Sequence, residues 1–552
     1  MALVRARPSW HFLASMDREA RRVAGSSRGL ALACLGTLLV LATLFRLPAL
    51  YNADAINSDA AVAGLQAMHM LRGEWAFRLW GAGYQGVVDC ALIALSFRLF
   101  GPTPLAVYLV PFGGLLLMVA LAFDVLRRKV SPIAAAACVM PLVFAGMASN
   151  TPMIVVMRQT LATTLVLGVW LADGADTSPV RRQRLALSLA CFALGIYIDS
   201  FAVVSLPACL FFWVTCAFTR SSTGDAPFGL DVSRIPRATI ERAAKLATRA
   251  GAVVAAVFAI VLVDSAEARK HFGDNAVLFF EQCLPFALCI KIFVKGEELH
   301  AVPWKAPLPV VILQITGAAA FILALLASIR LACIPNEVPW RARRLGLFGL
   351  VATACTVTAF LVSGRAVDMW SARYLAPVFW FAPFTLVPLA CVVPKSRLVA
   401  LLTPYVLTTL LGGWLSYGSF VDGPRIRLDP LTVGTEERAL FAELKSLHIH
   451  HAEAQYWIAY RLTFLTHEDL VAVPIDRRDD RYPPYRRLVD EAPVRALIFH
   501  PSEPRALPEP YEEELRRAGA AYERRQVGGF VVLVVPRPVS TSLGTSGNSG
   551  AP

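Results

Sequence analysis

Apolar runs close to the length of a bilayer crossing recur along this chain, and short Lys/Arg clusters separate them. A hydrocarbon core ~30 Å thick takes about 20 helical residues to span. Of the 552 residues, 56% are hydrophobic, whereas soluble globular domains hold roughly 45–50%. The pattern implies a polytopic α-helical membrane protein. The net charge of +13 is then explained by basic loops held on the cytoplasmic side, and nucleic acid is not an expected partner. The 11 cysteines lie almost entirely in apolar runs, with neither zinc spacing nor a disulfide framework. Cys283 and Cys289 share one expected outer loop, where an oxidising compartment leaves pairing open.

Charge also sets the threading. Residues 1–28 carry Arg5, Arg7, Arg18, Arg21, Arg22 and Arg28, which keeps this end in the cytoplasm. Ala53-Asp54-Ala55 has the form of a signal-peptidase site. The run from Gly29, however, exceeds the ~7–15 residues of a signal core, so an uncleaved first span over roughly 29–48 is expected. Arg127-Arg128-Lys129, Arg181-Arg182 with Arg184, Arg341 with Arg343-Arg344, and Lys395 with Arg397 mark inner span ends. The further spans fall at roughly 103–126, 132–148, 159–173, 185–198, 201–218, 250–264, 308–330, 345–362, 374–393 and 398–418, about eleven in all. Everything after 420 then lies outside. Residues 421–538 alternate charged helix-like segments with short strand-like runs, as in a small α/β domain. The Ser/Gly/Thr-rich tail, 539–552, reads as disordered.

The first outer loop, 51–101, is the most informative stretch. Asn57-Ser58-Asp59 can cap a helix over about 60–72 that Gly73 closes. Val62, Leu65, Met68 and Leu71 repeat at helical spacing, which suits a helix lying on the membrane. Trp80 to Gly86 is a glycine-rich segment with aromatic walls. The short run 87–100 contains Arg98 and reads as a partial, surface-lying or re-entrant helix. The threading gathers Asp59, Asp89, Arg158, Asp199, Asp368 and Arg373 at the outer face.

Several motifs occur in order: Asn57-Ser58-Asp59-Ala60-Ala61, Leu71-Arg72-Gly73-Glu74, Gly83-Tyr84-Gln85-Gly86-Val87-Val88-Asp89, Leu99-Phe100-Gly101 and, much later, Ala372-Arg373-Tyr374-Leu375-Ala376-Pro377. This set resembles the C-type integral-membrane glycosyltransferases, particularly the bacterial protein mannosyltransferase and aminoarabinose transferase branch. The resemblance covers roughly 30–420. It implies a polyprenyl-phosphate sugar donor and inverting transfer at the outer face of the cytoplasmic membrane. The family's first-loop acid maps onto Asp59, its second acid onto Asp89, and its late Arg-Tyr pair onto Arg373 and Tyr374. Members often carry a second acid directly after the first, where this chain has Ala60. No metal ligands are assigned, and a divalent metal requirement stays open.

The residue types suit that chemistry. A hydroxyl acceptor needs a positioned carboxylate to take its proton, which typically gives ~10²–10⁴-fold; Asp59 is the candidate base. The departing lipid phosphate gains charge that guanidinium groups can meet, a role for Arg373 and Arg158. Asp89 and Asp199 can orient sugar hydroxyls or the base, while Tyr84, Trp80 and Tyr374 can cover or stack on the substrate. Each residue also has a plainer role. Asp59 and Asp89 can serve as helix caps, Asp199 as a turn marker, and Arg158 and Arg373 as snorkelling side chains. His271 reads as a surface residue, and His448, His450 and His451 as a solvated strand edge rather than a metal site. Trp304, Trp370 and Trp414 suit the interfacial belt. The rival functions are a transporter or flippase of lipid-linked glycans, which would place its polar residues near the midplane, and a non-catalytic envelope-assembly scaffold. The acceptor, whether glycan, lipid or protein, is not identified by the sequence.

Overall fold

A computed structural model describes residues 28–51, 53–145, 156–175, 178–217, 266–290, 308–334, 337–420, 435–501 and 507–536. The expected span at 250–264, residues 1–27 and the tail from 537 lie outside the described residues. In chain order the elements are α1 (Arg28–Tyr51), α2 (Ser58–Leu71), β1 (Arg78–Leu79), β2 (Ala82–Gly86), α3 (Val88–Phe100), α4 (Pro104–Arg127), α5 (Pro132–Val143), α6 (Val156–Gly174), α7 (Arg181–Ile198), α8 (Ala202–Ala217) and α9 (Ala266–Leu278). There follow α10 (Leu308–Cys333), α11 (Trp340–Val362), α12 (Ala376–Thr385), α13 (Val387–Val392), α14 (Lys395–Phe420), α15 (Thr435–Ser446), β3 (His451–Ala454), α16 (Tyr456–Leu465), β4 (Val471–Pro474), α17 (Pro483–Glu491), β5 (Val494–Phe499), α18 (Pro508–Arg517), β6 (Glu523–Val527) and β7 (Phe530–Pro536).

Among the described residues, five helical stretches are long and apolar enough to cross a membrane: Arg28–Tyr51, Pro104–Arg127, Leu308–Cys333, Trp340–Val362 and Met369–Val392. The chain is a multi-pass helical membrane protein. Other expected spans coincide with α5, α6, α7, α8 and α14. The helix starts differ from the hydropathy reading where a basic residue is buried. α11 begins at Trp340 rather than 345 because Arg344, wholly buried, reaches Asp173 at 3.3 Å. α7 begins at Arg181 rather than 185, and Arg181 donates to the Cys216 and Ala217 carbonyls at 2.8 and 3.2 Å.

The chain divides into two compact units: residues 1–51, 84–89 and 108–427, and residues 52–83, 90–107 and 428–552. The second unit also takes most of the first outer loop, and borders run inside β2, α3 and α4.

In the first unit, α6 and α7 pack as an antiparallel pair. At one end the buried Asp173 carboxylate accepts from Lys129 Nζ at 2.8 Å and faces Arg344, while Arg184 donates to the Leu171 carbonyl at 3.3 Å. At the other end stand Arg158 and Asp199. Along α6, Arg158 and Asp173 are about 22 Å apart at 1.5 Å per residue. Residues that the threading assigned to opposite faces thus occupy opposite ends of one helix. The Cys283 thiol points to the Asp368 and Met369 carbonyls at 3.5 and 3.8 Å, and it forms no disulfide with Cys289.

The second unit contains a five-stranded sheet in the order β4-β3-β5-β7-β6. β3 pairs in parallel with β4 and β5, and β7 runs antiparallel to β5 and β6. The parallel pair needs a crossover, which α16 supplies. α2 packs on α16, with the Phe464 ring against Gly64. This differs from the expected membrane-lying helix. Ala60, Ala61, Ala63, Gly64 and Ala67 let another helix approach closely, and Val62 and Leu65 are buried, while Leu71 remains exposed.

Candidate functional site

A 3₁₀ helix, Met369–Leu375, presents Arg373 and Tyr374. Its start is fixed by a capping box: Asp368 Oδ1 accepts from the Ser371 N–H at 3.2 Å, and Ser371 Oγ accepts from the Asp368 N–H at 3.4 Å. Asp368 therefore shapes the segment and lies outside the cavity lining. Close by, Asn275 of α9 donates to the Leu361 and Ser363 carbonyls at 3.0 and 2.8 Å, satisfying groups that the end of α11 leaves open.

These segments, the start of α6, the α7–α8 turn and Tyr84 enclose a cavity of about 250 Å³. Its polar lining includes Tyr84, Arg158, Asp199, Arg365 and Tyr374, with Phe201 and Phe360 as apolar wall. Asp199 is 1% exposed and organises one side. Its Oδ1 accepts from the Phe201 N–H at 2.8 Å, its Oδ2 accepts from Gln85 Nε2 at 3.0 Å, and Arg158 Nε stands 3.9 Å from Oδ2. The Arg158 guanidinium also lies over the Phe201 and Tyr374 rings, 4.8 and 5.1 Å from their centroids, and donates to the Arg373 carbonyl at 3.4 Å. Arg365 faces the Tyr84 ring at 5.9 Å. Arg373 Nη2 contacts the Tyr374 hydroxyl at 3.4 Å, and its Nε has no hydrogen-bond partner among the described residues. Two cations and four aromatic rings thus line the cavity beside one acid that is already engaged.

β2 is seated by its backbone. Tyr84 O accepts from the Ser200 N–H at 3.1 Å, and Gln85 bridges Asp199. A Cβ on Gly86 would come within 2.4 Å of the Tyr197 carbonyl, so only glycine lets the strand lie there. Asp89 is buried in the first turn of α3, which is not among the five spans. It accepts from the Thr160 hydroxyl and leaves Oδ2 without a partner among the described residues. Burial first, with the Asp199 charge adding, raises its carboxyl to about 7 against the opposing Thr160 hydrogen bond.

Asp59 belongs to the second unit. Asn57 caps α2 by accepting from the Ala60 N–H at 2.9 Å, so the capping duty does not fall on Asp59. The Tyr456 hydroxyl donates to Asp59 Oδ1, and Arg481 Nη2 stands 3.5 Å from the same oxygen. Trp80 is not among the residues lining the cavity. One of its faces is stacked on Tyr482, with centroids 3.8 Å apart and planes 15° from parallel, and its backbone N–H donates to Gln66 Oε1 at 3.0 Å. Beside it His69 hydrogen-bonds Glu74 and Glu468 at 2.6 and 2.7 Å. His450 hydrogen-bonds the Asp469 carbonyl at 3.0 Å.

Of the residues singled out from sequence, the cavity gathers Tyr84, Arg158, Asp199 and Tyr374, with Arg373 adjacent. Gln85, Phe201 and Arg365 were not anticipated. Gln85 lay inside a quoted motif, and Arg365 carried only its charge near an expected outer turn.

The fold and cavity define a class: a multi-pass helical membrane protein with a cationic, aromatic-walled cavity and a C-terminal α/β domain. Its fold is that of ArnT from Cupriavidus metallidurans, whose apo crystal structure matches with a TM-score of 0.51 at 13% sequence identity, covering 92% of this chain and 98% of that one. ArnT bound to undecaprenyl phosphate gives 0.49 at 13% identity over 92% and 98%. The archaeal oligosaccharyltransferase AglB from Archaeoglobus fulgidus, in complex with an inhibitory peptide and a dolichol-phosphate, gives 0.40 at 10% identity over 93% and 75%. No protein-family model matches the sequence. No curated protein matches it either. The resemblance read from the ordered motifs and the fold found by comparison agree.

Proposed function

We propose that this protein is a glycosyltransferase that moves a sugar from a polyprenyl-phosphate donor to an acceptor hydroxyl at the outer face of the cytoplasmic membrane. The observation that carries this reading is the cavity lined by Arg158, Arg365, Tyr84 and Tyr374, in a chain with the fold of ArnT. Its cations suit an anionic phosphate and its rings suit a sugar face. A transporter site at the midplane of broken helices is a poorer match, because Arg158 and Asp199 lie at helix ends.

The reaction is a direct displacement. The acceptor oxygen forms a bond to the anomeric carbon from the face opposite the phosphate, and the bond from that carbon to the phosphate oxygen breaks. Configuration inverts, the acceptor proton passes to Asp59, and the lipid phosphate leaves with the bonding pair. Arg158 and Arg373 meet the charge that develops on it; Arg373 Nε, without a hydrogen-bond partner among the described residues, supplies one donor. Asp199 holds Arg158 in place, and Tyr84 and Tyr374 flank the donor. Asp89, held by the Thr160 hydroxyl, serves to orient the sugar hydroxyls. The N-terminus is cytoplasmic, and the domain after 420 is on the outer side.

The test is mass spectrometry of envelope glycans, lipids and proteins from cells that have the protein, lack it or carry Asp59→Asn. The expected result is a sugar addition that is absent without the protein and absent with Asp59→Asn, although the variant is expressed at the normal level. An unchanged set of products in all three strains would rule the reading out, and products retained with Asp59→Asn would point to a scaffold.

A further inference from the structure

We propose that Tyr456 and Arg481, both on the C-terminal α/β domain, are positioning residues for the Asp59 carboxylate. The proposal rests on Asp59 being the base of the transfer reaction. That domain would then hold the proposed base in its working orientation.

The geometry is specific. Asp59 sits in the first turn of α2, where Asn57 already fills the cap. A carboxylate freed from capping rotates about two side-chain bonds unless something holds it. Here Tyr456 donates its hydroxyl to Oδ1, and Arg481 Nη2 approaches that same oxygen at 3.5 Å. Two donors on one oxygen fix the rotation of the group. Its side chain keeps 31% of its surface open, so it can still accept a proton from a hydroxyl.

Arg481 is itself held from several directions. Its Nε donates to the Tyr456 hydroxyl at 3.1 Å, its Nη1 to the Gly81 carbonyl at 2.9 Å, and its backbone N–H to the Tyr460 hydroxyl at 2.6 Å. Gly81 adopts a φ of +64°, and a Cβ there would come within 2.4 Å of Arg481 Cδ. The loop after β1 is thus built around the arginine. Tyr456 is a dependable donor: burial, and then the Asp59 charge, push its phenol far above the usual range, so it stays protonated.

A base held slightly out of place loses rate without losing substrate, and a misplacement of about 1 Å can cost ~10²-fold. Tyr456→Phe keeps the ring and its packing but removes the donor. Arg481→Gln removes the charge, and Arg481→Lys restores it in part. Each full-length variant, with Asp59→Asn alongside, is expressed in cells lacking the protein, and the rate of envelope sugar transfer is followed by pulse labelling and mass spectrometry. Each purified variant is titrated with undecaprenyl phosphate, and its thermal midpoint is recorded. The proposal expects transfer to fall by roughly 10- to 100-fold in Tyr456→Phe and Arg481→Gln, with partial recovery in Arg481→Lys. Undecaprenyl phosphate affinity and thermal midpoint should stay at the wild-type values. Loss of transfer in Asp59→Asn with wild-type rates in Tyr456→Phe and Arg481→Gln would overturn the positioning role and leave the proposed function standing. Wild-type transfer in Asp59→Asn would overturn both. A fall in transfer matched by an equal fall in thermal midpoint in Tyr456→Phe would show a purely structural contact and overturn the positioning role.

Discussion

Arg158 Nε, in the first turn of α6, lies 3.9 Å from Oδ2 of Asp199, which caps the end of α7 and is almost fully buried. Gln85 completes the arrangement by donating to the same carboxylate oxygen at 3.0 Å. Asp199→Asn keeps the shape but removes the charge that orients Arg158. Sugar transfer should fall by up to ~10²-fold, while expression stays near normal. Mass spectrometry of the envelope product, normalised to protein, checks this.

At the far end of α6, Asp173 is shared by Lys129 and Arg344. Removing one partner from a buried charge group leaves the others uncompensated and costs about 3–5 kcal/mol. Asp173→Asn should therefore lower the unfolding midpoint in detergent sharply. Transfer per folded molecule should not change, because this cluster is remote from the cavity.

Gly86 lies where any side chain would meet the Tyr197 carbonyl and ring. Gly86→Ala forces β2 off α7 and pulls Gln85 from Asp199, with an overpacking cost of about 1–3 kcal/mol. Both thermal stability and transfer should fall. Gly83→Ala, which meets nothing within 4 Å, is the control.

Glu468 gives a pH test in the second unit. Burial pushes its carboxyl up, but hydrogen bonds from His69, Arg72 and Tyr485 outweigh this and hold it at about 2. Because the folded value is depressed, the stabilisation is complete above the ordinary value of 4.5 and is lost as pH falls from there through about 2. Unfolding followed across that window should show a steep acid loss in the wild-type protein and a flatter one in Glu468→Gln.

Much of this was legible in the sequence, because membrane helices must carry long apolar stretches and their flanking charges set the direction. Hydropathy placed α10 within a few residues. It missed the starts of α7 and α11, because Arg181 and Arg344 are buried against distant partners that no local window can contain. The Arg373-Tyr374 pair was visible as a motif, and its capping box, Asp368 with Ser371, follows a known spacing. Tyr456 and Arg481 had no such signal: they approach Asp59 from about 400 residues away in sequence. Trp80 looked like a substrate platform beside glycines, yet Tyr482 stacks on one of its faces. The membrane-lying reading of α2 counted its large apolar residues and overlooked the alanine face that accepts α16.

The most direct measurement is the affinity of the purified full-length protein for undecaprenyl phosphate, in detergent, for the wild type and for Arg158→Gln. The account predicts saturable binding that weakens at least about tenfold in Arg158→Gln, a loss of about 1.4 kcal/mol. Equal affinity in the two proteins, or no binding by the wild type, would contradict it.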